Sequence, residues 1–250
     1  MTRTRTLVLL RHGESRGNAR GVFTGWIDAP LTARGEEQAR QAGQLLRAHG
    51  LRPTRAHSSA LTRAVRTCAL VLAAADCPDT DPTRTWRLNE RHYGALQGLE
   101  RRAVRERYGD AAYRRWRRSA DAVPPPLPAR EAAAFAGDPR YGGFPAARLP
   151  RAESLDDVRA RLLPYVEEAL APQLADGHTV LVTAHSNSLR ALVSHLDRLT
   201  PRETAELNIP TGMPLCYELD GQLLPLVRGG RYLDPETAQA VANSMAEQGL

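Results

Sequence analysis

The chain of 250 residues contains no lysine; all 34 of its basic side chains are arginine. Together with abundant alanine, that bias runs the whole length, so no single arginine is read as a local choice over lysine. Cysteine is scarce: Cys68, Cys77 and Cys216 are odd in number and far apart. They form neither a zinc pattern nor a disulfide framework, and they read as simple thiols of a reducing, cytoplasmic setting. No run approaches the ~18 apolar residues of a membrane span. The basic N-terminus lacks the apolar stretch and cleavage site of a secretory leader. Aromatic residues make up only 5%. The net charge of +6 suits anionic ligands, either small phosphorylated molecules or nucleic acid. With so few aromatics and no nucleic-acid motif, the small phosphorylated molecule is the expected partner, and neither nucleic acid nor membrane is expected.

What is present is an ordinary soluble composition, 42% hydrophobic and 25% charged, in a chain long enough for a sizeable core. Leu7-Val8-Leu9-Leu10 is too short for a helix and reads as a buried strand. It leads into Arg11-His12-Gly13-Glu14-Ser15. A second buried strand, residues 179–184, leads into His185-Ser186-Asn187-Ser188. Helical spacing is expected over 32–46, capped by Thr32, over 61–72, over 104–116, and from Ser154 onward. Ala56 to Ser59 ends a further strand, and Arg84 to Leu88 reads as another. Residues 201–209 suit a short helix, and 215–219 a strand at the sheet edge. Residues 122–150, rich in proline and glycine, read as a loop excursion that suits a lid. In the tail, 229–250, residues 235–249 are mostly helix-forming. The alternation of strands and helices predicts one α/β domain over 1–250, a three-layer fold with a mostly parallel central sheet.

Two histidines at strand exits suggest imidazoles meeting where open α/β sheets bind ligands. A neutral imidazole such as His12 is a good nucleophile toward phosphorus near pH 7. The phosphoryl oxygens then need positive charge in fixed positions, and the fork of arginine provides it. Arg11 is adjacent to His12, Arg63 lies on the helix after the second strand, and His185, if protonated, is a further donor. Asn18 and the backbone around Gly13 and Gly25 add neutral donors. The oxygen that gains or loses the phosphoryl group must exchange a proton, and Glu90 is the candidate acid/base.

At this point the chain resembles the cofactor-dependent phosphoglycerate mutases of the histidine phosphatase superfamily, over about residues 5–235. The resemblance rests on Leu-Leu-Arg-His-Gly-Glu-Ser (9–15), Phe-Thr-Gly-Trp (23–26), Leu-Asn-Glu-Arg-His-Tyr-Gly-Ala-Leu-Gln-Gly (88–98), Trp-Arg-Arg-Ser (116–119), Asp-Pro-Arg-Tyr (138–141), Asn-Ser-Leu-Arg-Ala-Leu-Val (187–193) and Leu-Asn-Ile-Pro-Thr-Gly (207–212). It implies that His12 is phosphorylated, that Glu90 is the general acid/base, and that Arg11, Arg63 and His185 hold the transferring group. It further implies substrate contacts from Ser15, Asn18, Thr24, Gly25, Arg91, His92, Tyr93, Arg101, Arg117, Arg118, Ser186 and Asn187. The implied reaction is that of an isomerase of glycolysis and gluconeogenesis, exchanging 3-phosphoglycerate and 2-phosphoglycerate. 2,3-Bisphosphoglycerate is the implied priming cofactor, with no metal, in a homodimer or homotetramer.

Three positions depart from the family pattern. Gly17 stands where tryptophan is usual, which is expected to loosen the phosphate loop. Ser186 stands where glycine is usual, a strained choice if that backbone needs positive φ. Arg101 replaces a lysine. The first two leave a second reading open, a divergent paralogue acting mainly as a phosphatase or a bisphosphoglycerate mutase.

Overall fold

The computed structural model describes residues 5–141 and 149–247. Six strands form one sheet: β1 (Arg5–Arg11), β2 (Arg55–Ser59), β3 (Thr83–Thr85), β4 (Thr179–Ala184), β5 (Leu215–Leu219) and β6 (Arg231–Tyr232), in the order β3-β2-β4-β1-β5-β6. β1, β4, β2 and β3 run parallel, while β5 and β6 are antiparallel additions. This is the mostly parallel α/β sheet that the strand–helix alternation predicts.

Period-two alternation in β1 divides the core between the two faces of the sheet. Leu7 and Leu9 pack with Val180, Val182 and Tyr217, under helices α6 (Leu155–Tyr165), α7 (Ala171–Ala175) and α8 (Ser186–Leu196). Val8 and Leu10 pack with Leu181 and Cys216, against α2 (Ala33–Ala48) and α3 (Thr62–Ala74). Thr32 caps α2 by accepting from the Gly35 amide, and Ser154 opens α6 in a reciprocal capping box with Asp157. The remaining helices are α1 (Arg16–Ala19), α4 (Arg101–Arg118), α5 (Ala129–Ala136), α9 (Pro201–Glu206) and α10 (Pro235–Glu247). All three cysteines are buried and free.

Four local expectations need correction. Only 83–85 pairs with β2. At Trp86 the chain turns into a 3₁₀ helix, Trp86–Leu88, with the Thr85 hydroxyl accepting from the Arg87 amide. β5 is not an edge strand, because β6 lies outside it. The 104–116 helix belongs to a longer pair of segments broken at Gly109, whose φ of 80° no helix accommodates. The 122–150 excursion contains α5 and a 3₁₀ turn, Pro139–Tyr141; residues 142–148 of it lie outside the described residues. The alanine-rich run 132–134 has high helix propensity, which the neighbouring prolines obscure in the sequence.

Candidate active site

Strand register brings the two histidines together. Arg11 pairs with Ala184 across β1 and β4, so His12 and His185 leave the sheet side by side. The His12 amide donates to the Ala184 carbonyl at 3.0 Å, and the two imidazole centroids lie 4.8 Å apart. His12 Nδ1 lies 2.6 Å from the Gly13 carbonyl. A carbonyl only accepts, so Nδ1 carries the proton and Nε2 keeps its lone pair. Burial, then Arg63 and Arg11, hold the His12 pKa well below the usual imidazole value. Burial and the same arginines do so for His185. Both rings are therefore neutral at pH 7. His185 Nε2 meets the Ser59 hydroxyl at 2.7 Å, while its Nδ1 is buried with no protein partner.

The turn after His12 is built around close backbone approach. A Cβ on Gly13 would lie 2.1 Å from the Gly35 carbonyl oxygen, so only glycine fits. The Gly13 amide donates to Thr67 on α3, one turn beyond Arg63. Ser15 caps α1, and Asn18 Oδ1 accepts from both its amide and its hydroxyl. Arg63 is 1% exposed and donates to the carbonyls of Gly25 and Ile27. Burial lowers its pKa to about 10, with Glu90 opposing, so it remains charged. Arg11 donates to the Ile209 carbonyl at 2.8 Å, and its Nε is buried without a protein partner.

Glu90 is held by three donors on a single oxygen. Oε1 accepts from the Arg91 amide at 2.8 Å, the Asn187 amide at 3.1 Å and Asn187 Nδ2 at 2.9 Å. The same Nδ2 donates to the Tyr93 hydroxyl at 2.9 Å. The backbone that carries Glu90 is clamped from behind. Arg161 of α6 donates to the carbonyls of Trp86, Arg87, Asn89 and Glu90, and pairs with Glu153 at 2.6 Å. Trp26 Nε1 donates to the Glu90 carbonyl at 2.6 Å.

A cleft of about 530 Å³ opens over these groups. Its wall includes Arg11, His12, Ser15, Asn18, Thr24, Gly25, Arg63, Glu90, Tyr93, Arg101, Arg117, Arg118, Ser186 and Asn187. His185 sits behind His12, fully buried. Two of the expected substrate contacts lie off the wall. Arg91 is fully buried, donates to the Trp116 carbonyl and stacks over the Tyr93 ring at 4.7 Å. His92 packs between Trp26 and Phe135, and its Nδ1 accepts from the Gly94 amide. Glu90 and Tyr93 face the cleft, and the two side chains between them turn inward.

The departures from the family pattern also resolve locally. Ser186 opens α8, and the non-glycine residues with positive φ are Asp76, Arg198 and Leu223 among the described residues, so serine there is unstrained. Gly17 leaves no gap; a Cβ on it would lie 2.2 Å from Thr24 Oγ1.

Sequence reasoning missed four contributors. Arg190, one turn along α8 from Asn187, is on the wall and buried. Its signal was present in the 187–193 block, but no role was drawn from it. Glu153 and Arg161 sit far from the site in sequence and carry no motif. The fourth is α10. Thr237, Ala240, Val241, Ser244 and Met245 complete the wall, and Met245 Sδ accepts from Arg11 at 3.7 Å. No described residue of 122–150 lies on that wall. Among the described residues, no group of three or more histidine, cysteine, aspartate or glutamate side chains is placed to hold a metal ion, and no helix is long and apolar enough to cross a membrane.

The sheet topology, the paired strand-exit histidines and their arginines define a class, and the chain belongs to the histidine phosphatase superfamily: the family described as histidine phosphatase superfamily (branch 1) matches residues 7–136 and 130–224. The solved structure titled Mycobacterial hydrolase 1 superposes with a TM-score of 0.69 at 23% identity, covering 92% of this chain and 100% of that one. A mycobacterial glucosyl-3-phosphoglycerate phosphatase complexed with VO3 gives 0.68 at 24% identity, covering 91% and 96%. At that identity the likeness is one of fold. Within the superfamily the chain falls with the 2,3-bisphosphoglycerate-dependent phosphoglycerate mutases. The protein of that name from Cutibacterium acnes is 51% identical over 246 residues, 98% of this chain and 99% of its own. The one from Thermobifida fusca is 51% identical over 244 residues, again 98% and 99%.

Proposed function

We propose that the protein interconverts 3-phosphoglycerate and 2-phosphoglycerate through a phosphohistidine at His12. The observation that carries the reading is the neutral, buried His12 with Nδ1 fixed on the Gly13 carbonyl, sharing an arginine-lined cleft with Glu90. The cleft suits a ligand with two phosphates and a carboxylate. Arg11, Arg63, Arg101, Arg117, Arg118 and Arg190 face Glu14 and Glu90, and three buried side-chain nitrogens, Arg11 Nε, His185 Nδ1 and Arg190 Nε, lack protein partners. 2,3-Bisphosphoglycerate, when bound, supplies the phosphoryl group that primes His12.

Arg11, Arg63 and His185 surround the phosphoryl group, and their fixed charge and donors offset the charge of the transition state. As the 2-hydroxyl of 3-phosphoglycerate attacks phosphorus, the phosphorus–Nε2 bond breaks and Glu90 takes the hydroxyl proton, with Oε2 as the oxygen left for it. On return, Nε2 attacks the phosphoryl group at the 3-oxygen. That oxygen departs and regains its proton from Glu90. Ser15, Asn18, Thr24, Gly25, Tyr93, Ser186 and Asn187 orient the glycerate, and Arg101, Arg117 and Arg118 take its distal anions. Arg91 and His92 act from behind the wall, setting Tyr93 and the turn at Gly94. Helix α10, with Met245 on Arg11, keeps water from the phosphohistidine, which solvent would otherwise hydrolyse. The setting is cytoplasmic and the assembly a homodimer or homotetramer, as the family resemblance implies.

The test is intact-mass measurement after brief exposure to 2,3-bisphosphoglycerate. A gain of one phosphoryl group on the native chain, absent in His12→Ala, supports the reading. A phosphoryl group retained in His12→Ala refutes it.

A further inference from the structure

Arg190 is a buried cation whose donors are largely spent on the protein itself. It is 4% exposed. Its Nη1 donates to Asn187 Oδ1 at 3.0 Å and reaches the Arg117 carbonyl at 3.4 Å, while Nη2 donates to the Thr204 carbonyl at 2.7 Å. Nε alone has no protein partner. One guanidinium thus ties α8 to α9 and to the end of α4. Burial, then Arg91 and Arg118, lower its pKa to about 9, with Tyr93 and Glu90 opposing, so it is charged at neutral pH.

The contact with Asn187 has a chemical consequence. The two ends of a carboxamide differ in kind: oxygen accepts and nitrogen donates. Because Asn187 Oδ1 accepts from Arg190, Nδ2 must face Glu90 Oε1 and the Tyr93 hydroxyl, both 2.9 Å away. The flipped amide would set its oxygen against the Glu90 carboxylate and its nitrogen against a guanidinium. Both contacts would be repulsive. The fork of Arg190 therefore selects the one amide orientation that holds Glu90.

We propose that Arg190 is a positioning residue for phosphoryl transfer, acting on Glu90 through the side-chain amide of Asn187. The proposal rests on the reaction assigned above. Arg190 also lies on the cleft wall, and a direct contact with a substrate anion is the competing role. The two roles differ in kinetics. Losing an anion contact made equally in ground and transition states raises KM. Losing a positioning contact lowers kcat.

The experiment is steady-state turnover of 3-phosphoglycerate by the full chain bearing Arg190→Met, Asn187→Ala or both. The positioning role predicts that Arg190→Met lowers kcat on the order of 10- to 100-fold with KM changed less than about threefold. Asn187→Ala falls similarly, and the double variant falls no further than the worse single one, because both break one chain of contacts. Arg190→Lys, which keeps the charge but not the fork, recovers kcat in part. A raised KM with intact kcat, or single effects that multiply in the double variant, overturns the proposal. If circular dichroism shows Arg190→Met unfolded, Arg190→Lys replaces it in the same cycle; a wild-type kcat in that variant then assigns Arg190 to folding alone and overturns the proposal. Should the wild-type chain release inorganic phosphate from 3-phosphoglycerate instead of isomerising it, the mutase reading fails. The same cycle, read on that phosphate release, still tests Arg190.

Discussion

Replacing His92 with glutamine should remove an acid-sensitive element from the fold while leaving the cleft unchanged. His92 is 1% exposed, packed at ring-centroid distances of 5.6 Å from Trp26 and 5.7 Å from Phe135. Its Nδ1 accepts from the Gly94 amide at 3.0 Å, a bond that needs the neutral ring. Burial, then the nearby Arg161, lowers its pKa from 6.5 to about 4. Below about pH 6.5 the unfolded chain binds a proton here that the folded chain refuses until about pH 4. Across that window the unfolded state holds more protons, so stability falls as pH falls; above 6.5 the contribution is complete. Between pH 7 and pH 5 this one ring accounts for ~2 kcal/mol of lost stability. The assay is urea unfolding of native and His92→Gln protein at both pH values. The variant should lose ~2 kcal/mol less over the interval, the other buried histidines cancelling in the comparison. Its KM for 3-phosphoglycerate should be unchanged, because the ring lies off the wall. Equal pH losses would refute the burial argument, and a raised KM would return His92 to the substrate.

Two further outcomes follow from packing. Gly17→Trp should lower activity and stability together, by ~1–3 kcal/mol in the latter, since its Cβ would overlap Thr24 on the cleft wall. Melting and KM measurements check it, and a faster enzyme would show that α1 and Thr24 shift as a unit. Arg161→Met should cost ~3–5 kcal/mol in urea unfolding, because it strands the Glu153 carboxylate at 4% side-chain exposure. Adding Glu153→Leu should recover part of that loss; no recovery would mean that the carbonyl contacts, not the ion pair, dominate.

The site was legible in the sequence where chemistry and strand exits coincide. Apolar runs ending in His12 and His185 announced both the sheet and the meeting of the two rings, because a buried parallel strand releases its ligand-facing residue at its carboxyl end. Glu90 was legible through the 88–98 block, not through periodicity. What escaped was set by tertiary contact. Arg161 reaches the Glu90 segment from a helix some seventy residues later, and no local pattern encodes such a partner. The prolines of 122–150 suggest a lid but hide two contacts that the described part of the segment makes, Phe135 against His92 and Tyr141 against Trp26, and nothing local marks α10 as a part of the cleft wall. Arg91 and His92 belong to the same motif as Glu90, but their partners, the Trp116 carbonyl for one and the Trp26 and Phe135 rings for the other, lie in the interior and no local pattern announces them.

The central claim is that a phosphoryl group on His12 passes to glycerate and not to water. Phosphorus NMR of the protein with 3-phosphoglycerate and a trace of 2,3-bisphosphoglycerate tests it most directly. Growth of a 2-phosphoglycerate signal that depends on the trace cofactor is the predicted result. Accumulation of inorganic phosphate with no 2-phosphoglycerate would contradict it.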